Sequence, residues 1–399
     1  MRALQKLGGD FDFVGRGGPH MKALAGEPFT DWIDQAAVVG LWEVIKRYSY
    51  FRRQFRETLS EIEEIKPDAV VLIDYPGFNL RLARALRRNI DLRSVRPAGL
   101  QPAEPDSPEK ISAAQTEQSP MFRPKIIYYI SPQVWAWNRG RIKKMARWLD
   151  LLLCIFPFEA ELYNQSGLRT VFVGHPMIEK LRTEKARIKR DPNLIGLFPG
   201  SRPREVMKNF PIMLDAACEL FRAKQVLRFE VAAASEPLAT EISNILWEAR
   251  MREGLFRVVT GETAATMQRA FAGIIASGSA TLEAAYFRLP FVLVYNVSWL
   301  TYLAARLLVQ VEFLGMPNVL ANRKVVPEFI QHRAKPDAIA KAVLRLMYNA
   351  AARDQMISEF DEIIRTLGDG GASMQSRARR SSTGAASDKA ARAILEELS

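Results

Sequence analysis

Two short turns in this chain combine glycine, serine and arginine in the way that binding an anion requires. In Phe198-Pro199-Gly200-Ser201-Arg202, which continues the apolar run Leu194-Ile195-Gly196-Leu197, Gly200 lets the backbone approach a ligand closely. Ser201 can cap a helix or bond a phosphate, and Arg202 offers a guanidinium fork to phosphate oxygens. A second apolar run, Ile274 to Ala276, ends in Ser277-Gly278-Ser279, with a helix expected from about Ala280. Each turn would present free N–H groups and the positive end of a helix dipole. A diphosphate fits between two such turns at one edge of a sheet, and Glu283, one turn into the second helix, is placed for a sugar or ribose hydroxyl. Either turn alone reads equally well as a tight turn with a helix cap; together they point to a nucleotide.

Other candidates are single residues. Asp74 closes the apolar run Ala69 to Ile73, read as a buried strand, and precedes Tyr75-Pro76-Gly77-Phe78-Asn79. A carboxylate there serves as a helix N-cap or as a general base toward an attacking hydroxyl. His175, in Gly174-His175-Pro176, is either structural or faces a cleft between domains. Trp135 and Trp137 alternate in Ser131-Pro132-Gln133-Val134-Trp135-Ala136-Trp137, as packing or as a platform for an acyl chain or sugar. The three histidines lack ligand spacing and no carboxylates cluster, so neither a metal nor a cofactor is expected. No Walker loop is present and no Gly-x-Gly-x-x-Gly follows a strand; Gly15-Arg16-Gly17-Gly18 leads to Pro19 and reads as a plain loop.

The elements that must position these residues alternate strand and helix. Strand-like Phe11 to Gly15 follows a short opening helix, then come a helical stretch Leu41 to Ile65, the strand Ala69 to Ile73 and a helix Leu80 to Arg88. Residues 90–123, rich in Pro, Ser, Gln and Glu, read as an inserted flexible loop. Alternation resumes at Lys125 and continues through strands near Leu194–Phe198, Arg228–Ala233 and Phe256–Gly261, with helices Lys208–Ala223, Pro237–Arg250 and Ala264–Arg269. Such βαβ order implies parallel sheets with ligands at the carboxyl ends of the strands. The apolar segment Val297 to Gly315 reads as a buried helix or a lipid-facing one, residues 368–387 as a flexible tail, and Asp388 to Leu398 as a terminal helix.

At 399 residues the chain is long for one core, and two domains are expected, 1–173 and 174–367, with 368–399 as tail. Its apolar share is that of a globular protein, without the run of about 18 apolar residues that spans a bilayer. Cys154 and Cys218 suit neither a zinc site nor a disulfide framework, and point to a reducing compartment. The net charge of +12 comes without a nucleic-acid-binding motif, which excludes nucleic acid and favours an anionic membrane surface.

The blocks Ser131-Pro132-Gln133-Val134-Trp135-Ala136-Trp137, Phe156-Pro157-Phe158-Glu159, Gly174-His175-Pro176, Pro199-Gly200-Ser201-Arg202, Ser277-Gly278-Ser279 and Met316-Pro317-Asn318-Val319-Leu320 occur in the order found in lipid-A-disaccharide synthases. The chain resembles that family over nearly its whole length. The resemblance implies an α/β fold of two Rossmann-like domains facing a cleft (GT-B) and an inverting glycosyl transfer. The implied donor is UDP-diacylglucosamine, the acceptor diacylglucosamine 1-phosphate, and the products a β-linked disaccharide phosphate and UDP. It assigns 1–173 to the acceptor and 174–367 to the UDP-sugar. Gly200, Ser201, Arg202 and Ser277 to Glu283 match the nucleotide side, Asp74 the aspartate of base or acceptor contact, and Asn318 and Glu328 polar cleft positions. It implies a cytoplasmic protein, peripheral on the inner membrane, for which a homodimer is an open option. The family opens with a strand and a glycine-rich loop before the first helix, whereas this chain starts inside that helix; a late start site or an impaired form is the expectation. The alternatives are another UDP-N-acetylglucosamine-dependent transferase or epimerase, or a non-catalytic relative.

Overall fold

A computed structural model describes residues 1–8, 10–32, 48–95, 122–297, 312–368 and 385–399. The chain divides into two compact units. The first comprises Met1–Val134, Arg139–Gly174 and Gly384–Ser399, the second Trp135–Asn138 and His175–Thr383.

In the first unit four parallel strands, β3 (Ala69–Ile73), β4 (Lys125–Tyr129), β5 (Leu151–Cys154) and β6 (Thr170–Phe172), lie in that order. β5 is buried along its whole length, as expected where a parallel strand is covered on both faces. β3 is different. Among the described residues it is the edge of its sheet, with Val71 38% and Ile73 40% exposed and only Leu72 buried, so the expected buried strand is a half-exposed one. A separate parallel pair, β1 (Arg16–Gly17) and β2 (Thr30–Asp31), replaces the strand expected at Phe11 to Gly15, which is irregular. Here the turn glycines, rather than the apolar residues before them, make the ladder.

The helix after β3 runs Pro76–Val95, longer at both ends than expected. Pro76 supplies the preset φ of a first helical turn, and the helix runs past Ile90 into the segment read as a loop. Of that loop, 96–121 lies outside the described residues, as do 298–311 of the apolar segment, 369–384 of the tail and the start of the helical stretch now seen at Tyr48–Ile65. The terminal helix Ala386–Leu398 packs within the first unit: Ala391 and Ile394 join Leu4, Ile127, Leu151, Leu153 and Val173 in one core. Its nearly buried Glu397 accepts from Lys125 Nζ at 2.8 Å and pairs with Arg169.

The second unit is a six-stranded parallel sheet of β7 (Asp191–Phe198), β8 (Arg228–Ala233), β9 (Phe256–Thr260), β10 (Ala270–Ala276), β11 (Phe291–Tyr295) and β12 (Glu328–Ile330). The spatial order is β12-β11-β10-β7-β8-β9, the doubly wound order. Its core holds Ile195, Leu197, Phe210, Val231, Ile274, Leu293 and Phe360, all out of contact with water. Consecutive connections run one way from β7 and the other way from β10, so the reversal falls between β7 and β10.

Candidate active site

Both anion-type turns leave the carboxyl ends of the two strands that flank this reversal. After β7, Gly200 takes φ +125°, a conformation that side chains rarely adopt. A Cβ there would stand 2.9 Å from Glu205 Cβ. Arg202 then adopts extended backbone as N-cap of the helix Pro203–Ala223, five residues earlier than the expected start at Lys208. After β10, Gly278 has φ +155° with open space around it, and Ser279 stands at the N-cap position of the helix Ala280–Tyr286 without a side-chain capping bond. Ser201, Gly278 and Ser279 are exposed, while Pro199 and Ala276 beneath them are buried.

Sequence reasoning passed over three residues that shape the first turn. Glu205 accepts from Ser201 N–H at 3.4 Å and from Arg202 Nη1 at 2.9 Å, so one carboxylate engages the donors expected for phosphate. With arginine at the N-cap, the sequence lacks the Ser/Thr of a capping box, so no local signal announced this contact. Asn209, fully buried, donates to Glu205 O at 2.8 Å and accepts from Asn296 N–H at 2.8 Å, tying this helix to the end of β11. Tyr295, at that end, has its phenol pushed up first by burial and then by Glu205, with Arg202 opposing. Arg190, lowered to about 10 by burial, donates to Met267 O at 2.8 Å and to Ala270 O and Phe287 O. It thereby clamps the carboxyl end of the helix that begins at Ser279, where a cation suits the dipole.

Glu283 is half-buried, and burial raises its carboxyl, with Lys180 opposing and Glu184 reinforcing the shift. His175 is the N-cap of the helix Pro176–Glu184: its Nδ1 accepts from Met177 N–H at 3.2 Å, and burial lowers it to about 4. The structural alternative for this histidine thus has a defined job. Asn318 is corrected from a cleft contact to an internal brace. It is fully buried; its amide donates to Val326 O (2.9 Å) and Glu328 Oε1 (2.8 Å), and its oxygen accepts from Val325 and Val326 N–H, using its full bonding capacity. Glu328 Oε1 also accepts from Gly315 N–H at 2.8 Å, at the start of the helix Met316–Ala321.

In the first unit, Asp74 stands at the end of β3 with its carboxylate exposed and without a hydrogen bond or ion pair to a described residue. Its N–H donates to Tyr129 O at 2.9 Å. Asp74 and Tyr75 both take φ +47°, a left-handed corner without glycine, which costs of order 1–3 kcal/mol per residue. Asn79 Nδ2 holds the corner by donating to Ile73 O (3.0 Å) and Asp74 O (2.8 Å), and Tyr128 Oη donates to Asp74 O. Next door, Ile130 at the end of β4 has φ +65°, and Ser131 Oγ donates to the fully buried Glu159. Trp135 is 5% exposed and enclosed like a packing residue; Trp137 is 38% exposed. Among the described residues no group of histidine, cysteine and carboxylate could hold a metal.

Two Rossmann-like units, one with paired anion-type turns at its strand reversal, give the chain the GT-B fold. The solved structures it resembles share that fold. The S. aureus MnaA–UDP co-structure aligns with TM-score 0.52 at 12% identity, covering 87% of this chain and 79% of that one. A candidate UDP-N-acetylglucosamine 2-epimerase from Listeria monocytogenes aligns with TM-score 0.50 at 11% identity, over 96% and 94%. The family model for lipid-A-disaccharide synthetase matches residues 1–94 and 110–380, and the chain belongs to that family. The lipid-A-disaccharide synthase of Trichlorobacter lovleyi is 35% identical over 93% of this chain and 90% of its own, and that of Geobacter sulfurreducens 34% over 94% and 90%.

Proposed function

We propose that the chain transfers the sugar of UDP-2,3-diacylglucosamine to the 6-hydroxyl of 2,3-diacylglucosamine 1-phosphate, giving a β-1,6-linked disaccharide 1-phosphate and UDP. The observation that carries this reading is the placement of the two turns at the β7/β10 reversal, given the family. On this reading the diphosphate takes the N–H groups of Ser201 and of the Ser277 to Ser279 turn, and Arg202 pairs with its oxygens. Glu205 gives up its hold on Ser201 and Arg202 as the diphosphate arrives. Glu283 and Glu328 serve the sugar-nucleotide side, Glu283 toward a hydroxyl. Asp74 takes the proton of the acceptor hydroxyl as its oxygen forms the new bond to the anomeric carbon. The bond from that carbon to the diphosphate breaks on the opposite face, which inverts the centre. Charge on departing UDP is met by backbone N–H groups and Arg202.

The lipid substrates place the work at a membrane surface. Among the described residues no helix is long and apolar enough to cross a membrane, and the net charge of +12 suits peripheral attachment to anionic lipid on the cytoplasmic face. The test is a detergent-micelle assay with UDP-diacylglucosamine and radiolabelled diacylglucosamine 1-phosphate. Labelled disaccharide with stoichiometric UDP is the expected product; its absence at any detergent ratio sinks the reading.

A further inference from the structure

The corner that presents Asp74 is held from inside the first unit by a tyrosine that no sequence motif marks. The ladder between β3 and β4 ends at Ile73 and Tyr129, and Asp74 N–H adds one bond beyond it, to Tyr129 O at 2.9 Å. There the chain turns away through two residues other than glycine, Asp74 and Tyr75, both at φ +47°. Such a corner persists only where its surroundings over-determine it. Asp74 O supplies the grip: a carbonyl oxygen has two lone pairs, and here Asn79 Nδ2 takes one at 2.8 Å and Tyr128 Oη the other. Asn79 belongs to the helix that the corner opens and Tyr128 to the neighbouring strand β4, so the peptide after Asp74 is fixed from two elements.

Tyr128 is fully buried, and a buried phenol needs a partner for its proton. Burial raises it above the ordinary 10, and the Asp74 carboxylate raises it further, so the hydroxyl keeps its proton and stays a donor. Phenylalanine would fill the same space; what the hydroxyl adds is the bond to the corner. The next corner of the sheet repeats the device. Ile130, at the end of β4, takes φ +65°, and the fully buried Tyr163 donates to Pro132 O at 2.5 Å while Ser131 Oγ donates to Glu159 at 2.5 Å. Two left-handed corners without glycine, each tied by a buried tyrosine, have pinning rather than packing in common. We propose that Tyr128 is a positioning residue for Asp74: its hydroxyl, together with the Asn79 amide, sets the direction in which the Asp74 carboxylate meets the acceptor hydroxyl. The proposal rests on the transfer reading for the proton that Asp74 accepts. It adds how that carboxylate is aimed, since it makes no hydrogen bond or ion pair of its own to a described residue and takes its direction from the backbone.

The test is a double-mutant cycle on the full chain between Tyr128→Phe and Asp74→Asn, read as kcat, KM for diacylglucosamine 1-phosphate, and UDP affinity. A misaimed base lowers kcat, so Tyr128→Phe should lose about 10- to 100-fold in kcat with acceptor KM and UDP affinity unchanged. In the Asp74→Asn background the same substitution should cost less than about twofold, because no base is left to aim. Independent lesions would multiply instead, so equal losses in both backgrounds overturn the proposal, as does an undiminished kcat in Tyr128→Phe. Full turnover in Asp74→Asn would remove the base role itself. Asn79→Ala acts on the same carbonyl from a half-buried position; it should follow the same pattern, and it decides the matter should Tyr128→Phe fail to fold. Hydrogen exchange gives a readout free of turnover. Phe78 and Asn79 N–H, which donate to Tyr75 O, should exchange faster in either variant than in the wild type, and unchanged exchange overturns the proposal. A wild type that makes no disaccharide removes the transfer reading, and exchange alone then decides whether Tyr128 fixes the corner.

Discussion

The two units carry their candidate functional residues in opposite ways. In the second unit the anion-type turns rise from β7 and β10, interior strands of a six-stranded sheet, and their donors are mainly backbone N–H groups with exposed glycine and serine around them. In the first unit the features are side chains, Asp74 with Asn79 and Tyr128, at the end of a strand that is an edge among the described residues and whose own Val71 and Ile73 are exposed. Backbone donors on a packed sheet are held in place by the fold and suit a ligand of fixed shape, such as a diphosphate. A side chain at an edge needs bracing, which Asn79 and Tyr128 supply to the Asp74 corner. The contrast is between candidate groups fixed by the main chain of a packed sheet and candidate groups carried by side chains at a sheet edge.

Four experiments would break or sharpen this contrast. Asp74→Asn should cut turnover about 10²- to 10⁴-fold with UDP affinity unchanged; equal loss of both would mean that the corner braces the fold and does no proton chemistry. The next largest effect is on acid stability. Burial holds His175 near 4 against an ordinary 6.5, so the unfolded chain takes up a proton that the folded chain refuses. Stability contributed by the neutral cap is full above pH 6.5 and falls as pH drops toward 4, by about 3 kcal/mol at the foot of that window. His175→Asn keeps a cap and should flatten the slope in denaturant titrations at stepped pH; an unchanged slope would locate the acid sensitivity elsewhere.

Gly200→Ala places a Cβ 2.9 Å from Glu205 at φ +125° and should weaken UDP binding by roughly tenfold or more. The kcat loss in Tyr128→Phe should be the same in its background, since that belongs to the other unit; a changed loss would show that the two units are not independent. The smallest effect belongs to Glu397→Gln. Its partners Lys125 and Arg169 are about half exposed, so losing the pairs should cost only about 1 kcal/mol in thermal unfolding. Restored stability in a variant that also replaces Lys125 and Arg169 would identify the pairs as the cause.

Much of the second unit was legible because its signals are local. Apolar runs of strand length, each followed by a turn with glycine and a helix, located β8 to the residue, β9 to within one residue, and both anion-type turns. The first unit was less legible for a physical reason. Whether Ala69 to Ile73 is covered depends on which strands flank it, and what the Tyr128 hydroxyl meets depends on which strand lies beside its own. Neither fact is written in local spacing. Asn318 was misplaced on the same ground, since an asparagine in a Met-Pro-Asn turn looks equally like a ligand contact and a brace until its four hydrogen bonds are seen.

By itself, then, the sequence determined the parallel α/β alternation, the two anion-type turns, and a carboxylate at the end of β3, since apolar period, glycine and turn chemistry act within a few residues. Tertiary structure alone decided that the two turns flank one strand reversal, that Glu205 already engages Ser201 and Arg202, and that the Tyr128 hydroxyl reaches Asp74 O. Those are contacts between residues brought together by strand order and helix packing, and strand order is a property of the whole sheet.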